Sequence, residues 1–268
     1  MTAPTALPVT LCIGGHDPSG GAGILADAEA VRAAGGFAVT VITACTDQDT
    51  RGVRCIHAQT PEAVETQCRT IIQDARPKAI KIGLIGGSRT AKVLSNLIEG
   101  LPGIPVVLDP VLASGAGQSM IDAALMNQLR THLIPRTTLV TPNLPEAAIL
   151  SDTRDPARYA ERLHARGAHW VLITGTHSDS PEVINRLYGA DGSVKEWSWP
   201  RLPGEYHGSG CTLASAIAAR LAKGIAMEQA VETAQRYTWG CLKHAVRTGR
   251  GQLTPNRLPI LPRNGESE

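Results

Sequence analysis

Residues 9–34, "VTLCIGGHDPSGGAGILADAEAVRAA", carry the clearest fold signal in this chain. It begins with a short apolar segment that contains β-branched residues, passes through a glycine-rich turn, and continues with apolar residues at helical spacing. A strand that leads through a glycine turn into a helix is the first half of a βαβ unit. The beginning of the chain therefore predicts an α/β protein.

The same alternation of strand and helix patterns continues along the chain. Further apolar runs predict strands at 38–45, 79–83, 105–110, 138–143 and 170–175. Between them, helical spacing predicts helices at 22–34, 61–76, 88–98, 119–133 and 156–166. Parallel strands need such crossover helices, so we expect a mainly parallel sheet.

The last third of the chain departs from this pattern. "VINRLYG" and "VKEWSWP" flank the turn "ADGS", residues 190–193, and Asp-Gly is a strong hairpin signal. We therefore expect an antiparallel hairpin at one edge of the sheet. Two long helices, at 210–223 and about 226–247, are predicted to follow.

The size and charge of the chain limit the possible functions. The chain has 268 residues, of which 43% are apolar, enough for a substantial core. We expect a single domain over residues 1–268 with a frayed tail at 260–268, because no repeat or linker interrupts the pattern. The net charge of +2 offers no field for nucleic acid, so we expect no nucleic-acid partner.

The cysteines and the N-terminal sequence indicate the compartment. Six cysteines are scattered without a C-x-x-C pair, which argues against a disulfide framework and a structural zinc site. The first residues carry no signal-peptide pattern, and no apolar run approaches the ~20 residues of a membrane span. We expect a cytoplasmic protein without a membrane partner.

Polar, glycine-rich segments follow most of the predicted strands. Ligands of open α/β sheets bind at the carboxyl ends of the strands, so these segments predict the site. None of them is a Walker P-loop, and no G-x-G-x-x-G follows the first strand. The segments are "GGHDPSGGAG" (14–23), "TDQDTRG" (46–52), "DPVLASGAG" (109–117), "TPNLPEA" (141–147) and "TGTHSD" (174–179).

A glycine turn also precedes the penultimate helix. Gly208, Ser209 and Gly210 let backbone N–H groups converge at a helix start, where the dipole adds about half a positive charge. This arrangement suits a phosphate, although a plain turn with glycines for clearance has the same sequence. Cys211 follows, and a helix start lowers a thiol pKa from its free value near ~8.5. Cys211 is thus a candidate base, or alternatively a small packing residue.

Two carboxylates follow strands of the predicted sheet. Asp109 ends the fourth strand, and Glu146 lies in "NLPE" after the fifth. Mg²⁺ in proteins is typically held by one or two carboxylates together with phosphate and water oxygens. Asp109 and Glu146 are therefore candidate metal ligands. Glu146 equally fits a cap for a short helix after Pro145.

These motifs together resemble a known family. "GGHDPSGGAG", "DPVLASGAG", "TPNLPEA" and "HGSGCT", in this order, are similar to the ribokinase-like kinases, in particular the hydroxymethylpyrimidine and phosphomethylpyrimidine kinases of thiamine biosynthesis. The resemblance runs from residue 14 to about residue 250. It implies a ribokinase-like three-layer α/β/α sandwich, a homodimer, and the use of ATP and Mg²⁺. It also implies phosphorylation of a pyrimidine alcohol to its monophosphate, and then of the monophosphate to the diphosphate.

The resemblance assigns roles on the acceptor side. It implies that Cys211 accepts the proton of the substrate hydroxymethyl group and that Gln48 binds the pyrimidine. A side-chain amide donates and accepts at once, which suits the edge of an aminopyrimidine. Gly15 and Val111 are the expected walls of the pocket. Asp27 is a further candidate there, although it equally fits a solvated helix charge.

On the nucleotide side, we assign Asn143, Thr174 and His207 to ATP. Asn143 begins the N-x-x-E element of the family, and His207 precedes the glycine turn. The chain departs from its relatives at Thr174, where many carry the lysine of Lys-Gly-Gly-His. A second family lysine is missing from "VLASGAG". We therefore expect Mg²⁺ and the helix start at 208–211 to neutralise the phosphates.

Two other functions fit the same motifs. A pyridoxal-type kinase also phosphorylates a hydroxymethyl group on a six-membered nitrogen ring. A non-catalytic regulator would bind the pyrimidine without turning over ATP.

Overall fold

A computed structural model describes residues 6–112 and 122–258 of the chain. Within these residues, nine strands form one sheet in the order β3-β2-β1-β4-β5-β6-β7-β8-β9. The strands are β1 Val9–His16, β2 Phe37–Asp49, β3 Gly52–Ala58, β4 Ala79–Ile82, β5 Val106–Leu108, β6 Leu139–Val140, β7 Trp170–Ile173, β8 Glu182–Gly189 and β9 Val194–Pro200.

Parallel pairing dominates the centre of the sheet, and antiparallel strands lie at both edges. Strands β2, β1, β4, β5, β6 and β7 pair in parallel. Strands β8 and β9 form the predicted edge hairpin. At the other edge β3 pairs antiparallel with β2, which was not predicted. The segment 46–52, expected to be a loop, is largely the end of β2, because cross-strand pairing with β3 extends a sequence that looks like a polar loop.

Helices cover both faces of the sheet. Thr60 begins α2 as an N-cap, with its side-chain oxygen accepting from the amide of Ala63, and Pro61 fits the first helical position. Helices α1, α7 and α8 pack together on one face, and α2 to α6 lie on the other. The predicted three-layer sandwich is thus confirmed. The helices are α1 Gly23–Ala33, α2 Pro61–Ala75, α3 Ser88–Glu99, α4 Ala123–Gln128, α5 Leu144–Ser151, α6 Tyr159–Ala165, α7 Ser209–Ala222 and α8 Met227–Lys243.

The two faces of the sheet bury different side chains. One apolar core contains Ile80, Ile82 and Leu108 of the central strands and the inner sides of α2 to α6. On the opposite face α7 presents mainly alanine and other small residues, which are buried. Small side chains let α7 approach the sheet closely, so its N-terminus lies near the ends of β4 and β5.

Some predictions about the elements need correction. The predicted helix at 119–133 is a shorter α4 that continues into a π-turn at Leu129–Leu133 and a 3₁₀ turn at Ile134–Arg136. Residues 113–121 and the predicted frayed tail at 260–268 lie outside the described residues. The single-domain prediction stays a prediction. None of the helices in the described part of the chain is long and apolar enough to cross a membrane.

Candidate active site

The predicted site residues lie along one edge of the sheet, at the carboxyl ends of the parallel strands. Asp109 follows β5, Asn143 follows β6 and Thr174 follows β7. Asn143 and Thr174 form an isolated parallel bridge, so they are neighbours at this edge. The sheet brings together residues that are far apart in the sequence, as the rule for open α/β sheets predicts.

The start of α7 has the backbone geometry expected of an anion site. Gly208 has φ 82°, and a Cβ there would lie 2.0 Å from the carbonyl oxygen of Gly21, so only glycine fits. No side chain in the described residues caps this helix start. Its first N–H groups are therefore free to donate to a ligand, and the helix dipole favours a negative one.

Arg257 connects the start of α7 to the glycine turn after β1 through hydrogen bonds. Its side chain is fully buried, and its Nε donates to Thr212 Oγ1 at 2.8 Å. The guanidinium also donates to the carbonyl oxygens of Gly20 and Gly21 and pairs with Glu29 at 3.1 Å. Arg257 thus holds the two glycine turns in a fixed relation and adds a buried positive charge beneath them.

A buried lysine lies at the centre of the site. Lys81 is in the middle of β4 and has no exposed surface. Its Nζ donates to Asp27 Oδ1 at 2.8 Å and to Oδ2 at 3.0 Å, and lies 3.6 Å from Asp109 Oδ2. Burial alone would lower the pKa of Lys81, but Asp27, Cys211 and Asp109 outweigh burial and raise it. Lys81 is therefore a permanent cation beside Asp109.

Asp27 differs from one of its two sequence interpretations. It is completely buried, and besides Lys81 it accepts a hydrogen bond from Ser215 Oγ at 2.7 Å. The carboxylate has no accessible surface, so the interpretation as a solvated charge was wrong, while the assignment of Asp27 to the pocket stays a prediction. Asp27 instead neutralises and positions Lys81.

Cys211 also differs from the expectation. Burial raises the pKa of the Cys211 thiol to about 12, and Asp109 and Asp27 add to the effect, while Lys81 opposes it. The expected lowering of this pKa by the helix start does not prevail, because burial of the thiol is the largest effect. Cys211 is thus a thiol in the ligand-free protein. It lies in the first turn of α7 and contacts Asp109.

The carboxylates of Asp109 and Glu146 lie close enough to repel each other. Burial and the neighbouring Asp109 raise the pKa of Glu146 to about 8. Burial, with Asp27 nearby, also raises the pKa of Asp109, although Lys81 acts against this. Oδ2 of Asp109 is buried and has no hydrogen-bond partner among the described residues. Two close carboxylates, one with an unpartnered oxygen, fit a divalent cation such as Mg²⁺.

Glu146 also caps the start of α5, the alternative role that its sequence position predicted. Asn143 and Glu146 form a capping box at the start of α5, with hydrogen bonds of 2.9 Å in both directions. Only one oxygen of Glu146 takes part in the cap, and the carboxylate also accepts a hydrogen bond from the backbone of Leu112. The side chain of Asn143 is engaged in this cap.

A second polar network lies beside the α7 turn. His207 Nε2 is 2.8 Å from Asp17 Oδ2 and 2.7 Å from the side-chain amide of Gln48. Thr46 Oγ1 donates to the carbonyl oxygen of His16 at 3.0 Å and lies 3.1 Å from the same amide. Burial alone would raise the pKa of Asp17, but hydrogen bonds from His207 and Ser19 outweigh it and lower the pKa. Asp17 is therefore an ionised acceptor.

This network determines how Gln48 is oriented. One ring nitrogen of His207 cannot donate to Asp17 and also accept from an amide N–H. All groups are satisfied when His207 Nε2–H is shared by Asp17 and Gln48 Oε1, while Gln48 Nε2 donates to Thr46 Oγ1. The second N–H of Gln48 then remains for a ligand. Nε2 of His207 is thus committed to Asp17 and Gln48, and the assignment of His207 to ATP stays a prediction.

The remaining predicted residues line this edge of the sheet. Gly15, at the end of β1, is buried, and a Cβ there would lie 2.7 Å from Leu84 Cδ2. Val111 is half-buried and follows Asp109, whose carbonyl oxygen accepts from its amide at 2.9 Å. Both are placed where walls of a pocket could lie. Their contact with a substrate stays a prediction.

Sequence reasoning missed three residues of the site. The expectation that Mg²⁺ and the helix start neutralise the phosphates did not consider Lys81 and Arg257. The buried pairing of Lys81 could have been predicted, because a charged residue in the short apolar strand "AIKIG" needs a buried partner. Asp17 lies in the polar, glycine-rich segment 14–23, where its spacing to Gln48 and His207 gives no sign of their contact. Arg257 had no signal, because only the tertiary structure brings it to the glycine turns.

Comparison with known proteins agrees with this geometry. The family model described as phosphomethylpyrimidine kinase matches residues 17–256. A hydroxymethylpyrimidine/phosphomethylpyrimidine kinase of Streptomyces coelicolor is 36% identical, covering 94% of this chain and 96% of the relative.

Solved structures show the same fold. A phosphomethylpyrimidine kinase from Clostridium difficile has a TM-score of 0.75 at 31% identity, over 86% of this chain and 97% of that one. An ADP complex of Bacillus subtilis pyridoxal kinase has a TM-score of 0.87 at 25% identity, over 94% and 98%. The sandwich is thus the ribokinase-like fold of these kinases. Because the family model and the close relative each cover most of the sequence, the chain belongs to the phosphomethylpyrimidine kinase family.

Proposed function

We propose that this kinase transfers the γ-phosphoryl group of ATP to the hydroxymethyl group of 4-amino-5-hydroxymethyl-2-methylpyrimidine, and then phosphorylates the monophosphate to the diphosphate. The observation that carries the proposal is the adjacency of two parts of the site. His207, which holds Gln48, directly precedes the glycine turn of α7. The acceptor and the transferring phosphoryl group would therefore meet at this turn, as phosphoryl transfer requires.

On the acceptor side, Gln48 would read the pyrimidine edge. Its free N–H would donate to a ring nitrogen, and the second lone pair of Oε1 would accept from the exocyclic amine. Asp17 and His207 keep the amide in this orientation, so less conformational entropy is lost when the substrate binds. Gly15 packs against Leu84 at the end of β1, and its backbone would form one wall of the pocket.

On the phosphate side, the N–H groups at Gly208 to Cys211 would hold the transferring group. Lys81 and Arg257 are buried nearby but are paired with Asp27 and Glu29, so Mg²⁺ and the helix start would neutralise most of the phosphate charge. Asp109 and Glu146 would hold Mg²⁺, which supplies charge neutralisation of the phosphates. Asn143 and Thr174 lie at the adjoining strand ends, where the nucleotide would extend.

Cys211 is the proposed acceptor of the hydroxyl proton. In the ligand-free protein the thiol keeps its own proton, so Cys211 must ionise in the complex before it can act as a base. Lys81 favours the ionised sulfur, and this fixed cation makes the role possible within a buried site. The expected homodimer and the expected cytoplasmic location stay predictions.

The test is an ADP-release assay with the pyrimidine alcohol, its monophosphate and pyridoxal run in parallel. We expect turnover of both pyrimidines and slower turnover of pyridoxal. Pyrimidine binding without ADP release would leave the proposed activity without support. Failure with the monophosphate alone would remove only the second step.

Pyridoxal phosphorylation is the second candidate function. The overall geometry is at least as similar to a pyridoxal kinase as to a phosphomethylpyrimidine kinase, by the TM-scores above. Pyridoxal also offers a hydroxymethyl group on a nitrogen ring. A kcat/KM for pyridoxal well above that for the pyrimidine would favour this function.

A further inference from the structure

Three potential metal ligands cluster on the β2–β3 ribbon, away from the candidate active site. Asp47, Cys55 and His57 offer a carboxylate oxygen, a sulfur and a ring nitrogen that lie within 4.8 Å of one another. His57 Nε2 is 3.1 Å from Asp47 Oδ2. All three residues are exposed, so a metal ion could reach them from solvent.

Strand register explains why these side chains meet. Asp47 of β2 lies opposite Cys55 of β3, and His57 lies two residues further along β3. Opposite residues and residues two apart share one face of an antiparallel ribbon. Thr46 and Gln48 alternate with Asp47, and their side chains reach His16 and His207. The cluster therefore occupies the outer face, and the active-site network occupies the inner one.

The donor set selects the metal. A thiolate, an imidazole and a carboxylate together suit Zn²⁺, whereas Mg²⁺ and Ca²⁺ prefer oxygen donors only. Zn–ligand bonds of about 2.0–2.3 Å in a tetrahedron put donor atoms roughly 3.3–3.8 Å apart. His57 Nε2 and Asp47 Oδ2 are 3.1 Å apart, and all three donor atoms lie within 4.8 Å of one another. Small side-chain rotations would therefore bring the donor atoms to the separation that zinc requires.

We propose that Asp47, Cys55 and His57 form a Zn²⁺ site with water as the fourth ligand. Binding releases the thiol proton of Cys55 to solvent, and the sulfur lone pair forms the bond to zinc. The ion links β2 to β3 across the outer face of the strand that carries Gln48. The absence of C-x-x-C spacing hid this site in the sequence, because cross-strand register assembles it.

The test is a Co²⁺ titration of metal-free protein in excess Mg²⁺, which occupies sites made of oxygen ligands. We expect one Co²⁺ per chain, visible d–d bands of a four-coordinate ion, and a sulfur-to-cobalt charge-transfer band. Zn²⁺ should displace the cobalt and abolish both. Cys55→Ser should remove the charge-transfer band. His57→Gln or Asp47→Asn should weaken cobalt binding at least about tenfold, because even the loss of a residue that only hydrogen-bonds to a metal ligand lowers metal affinity by about that factor.

Matched controls separate this site from the rest of the protein. Cys45 lies opposite His57 on the same ribbon but is not among the donor atoms that lie within 4.8 Å of one another, so Cys45→Ser should keep the charge-transfer band. The exposed residue His244 lies elsewhere, and His244→Gln should bind cobalt like the native chain. A charge-transfer band that survives Cys55→Ser would overturn the proposal. So would cobalt binding that is lost in Asp109→Asn instead.

A second readout uses the native chain and needs no variant. Zn²⁺ should slow the alkylation of Cys55 by iodoacetamide, measured on the peptide that contains Cys55, because the sulfur is then bound to metal. Alkylation of Cys55 at the same rate with and without Zn²⁺ would refute the site. Because this measurement uses the native chain, its outcome does not depend on how well a variant folds.

Discussion

Replacing Lys81 by methionine tests the buried charge cluster at the centre of the site. Methionine keeps most of the volume of the side chain and removes the charge, so Asp27 stays buried with Ser215 as its remaining partner. Breaking a buried ion pair by removing one partner costs about 3–5 kcal/mol. The unfolding equilibrium constant of Lys81→Met should therefore rise by roughly 10²–10⁴-fold.

The assay is urea unfolding of the ligand-free protein, followed by tryptophan fluorescence and by circular dichroism. Stability is measured in place of activity because Lys81 lies 3.6 Å from Asp109, and its loss would also disturb the reaction. The matched control is Lys195→Met, which breaks an exposed pair with Glu228 at 3.1 Å. That change should cost at most about 1 kcal/mol, because exposed pairs contribute little.

A double variant separates charge pairing from other effects of the substitution. Lys81→Met combined with Asp27→Leu removes both charges and fills the space with apolar atoms. It should recover most of the lost stability, because the unpaired carboxylate is the main penalty. The reasoning fails if Lys81→Met is no more damaging than Lys195→Met. It fails as well if the double variant loses the sum of the two single losses.

The remaining predictions concern the reaction. Gln48→Ala should cost about 1–3 kcal/mol of pyrimidine binding, which raises the KM for the pyrimidine roughly 5- to 150-fold and leaves the KM for ATP nearly unchanged. Equal increases of both KM values in steady-state kinetics would reject the role of Gln48. Asp109→Asn and Glu146→Gln should each raise the Mg²⁺ concentration for half-maximal rate, and unchanged saturation curves in both would make the carboxylates structural. Cys211→Ala and Cys211→Ser should each lower kcat by about 10²–10⁴-fold with similar substrate affinity. Because the pKa of this thiol is raised to about 12, its ionised fraction grows throughout the range below that pH. The kcat of the native enzyme should therefore rise between about pH 7 and pH 9 without a plateau. A kcat that does not change with pH would count against Cys211 as the base.

Much of the architecture was readable from local patterns. The parallel strands, the hairpin β8–β9 and the glycine turn at Gly208 follow from periodicity and turn chemistry, which depend on residues near in sequence. Strand β3 was not readable, because the second half of β2 and β3 look like polar loop until they pair with each other. The same pairing places Gln48 on a strand and assembles the proposed zinc site.

Motifs that follow the strands were sufficient to predict the fold class, the family and the edge of the sheet where the site is expected. The electrostatics of these residues depend on the tertiary structure. The pKa of the Cys211 thiol is raised and Asp27 is buried against Lys81, both contrary to the sequence expectations, and Nε2 of His207 lies beside Gln48. The physical reason is that a pKa or a hydrogen-bond partner depends on burial and on charges a few ångströms away, which distant parts of the chain supply.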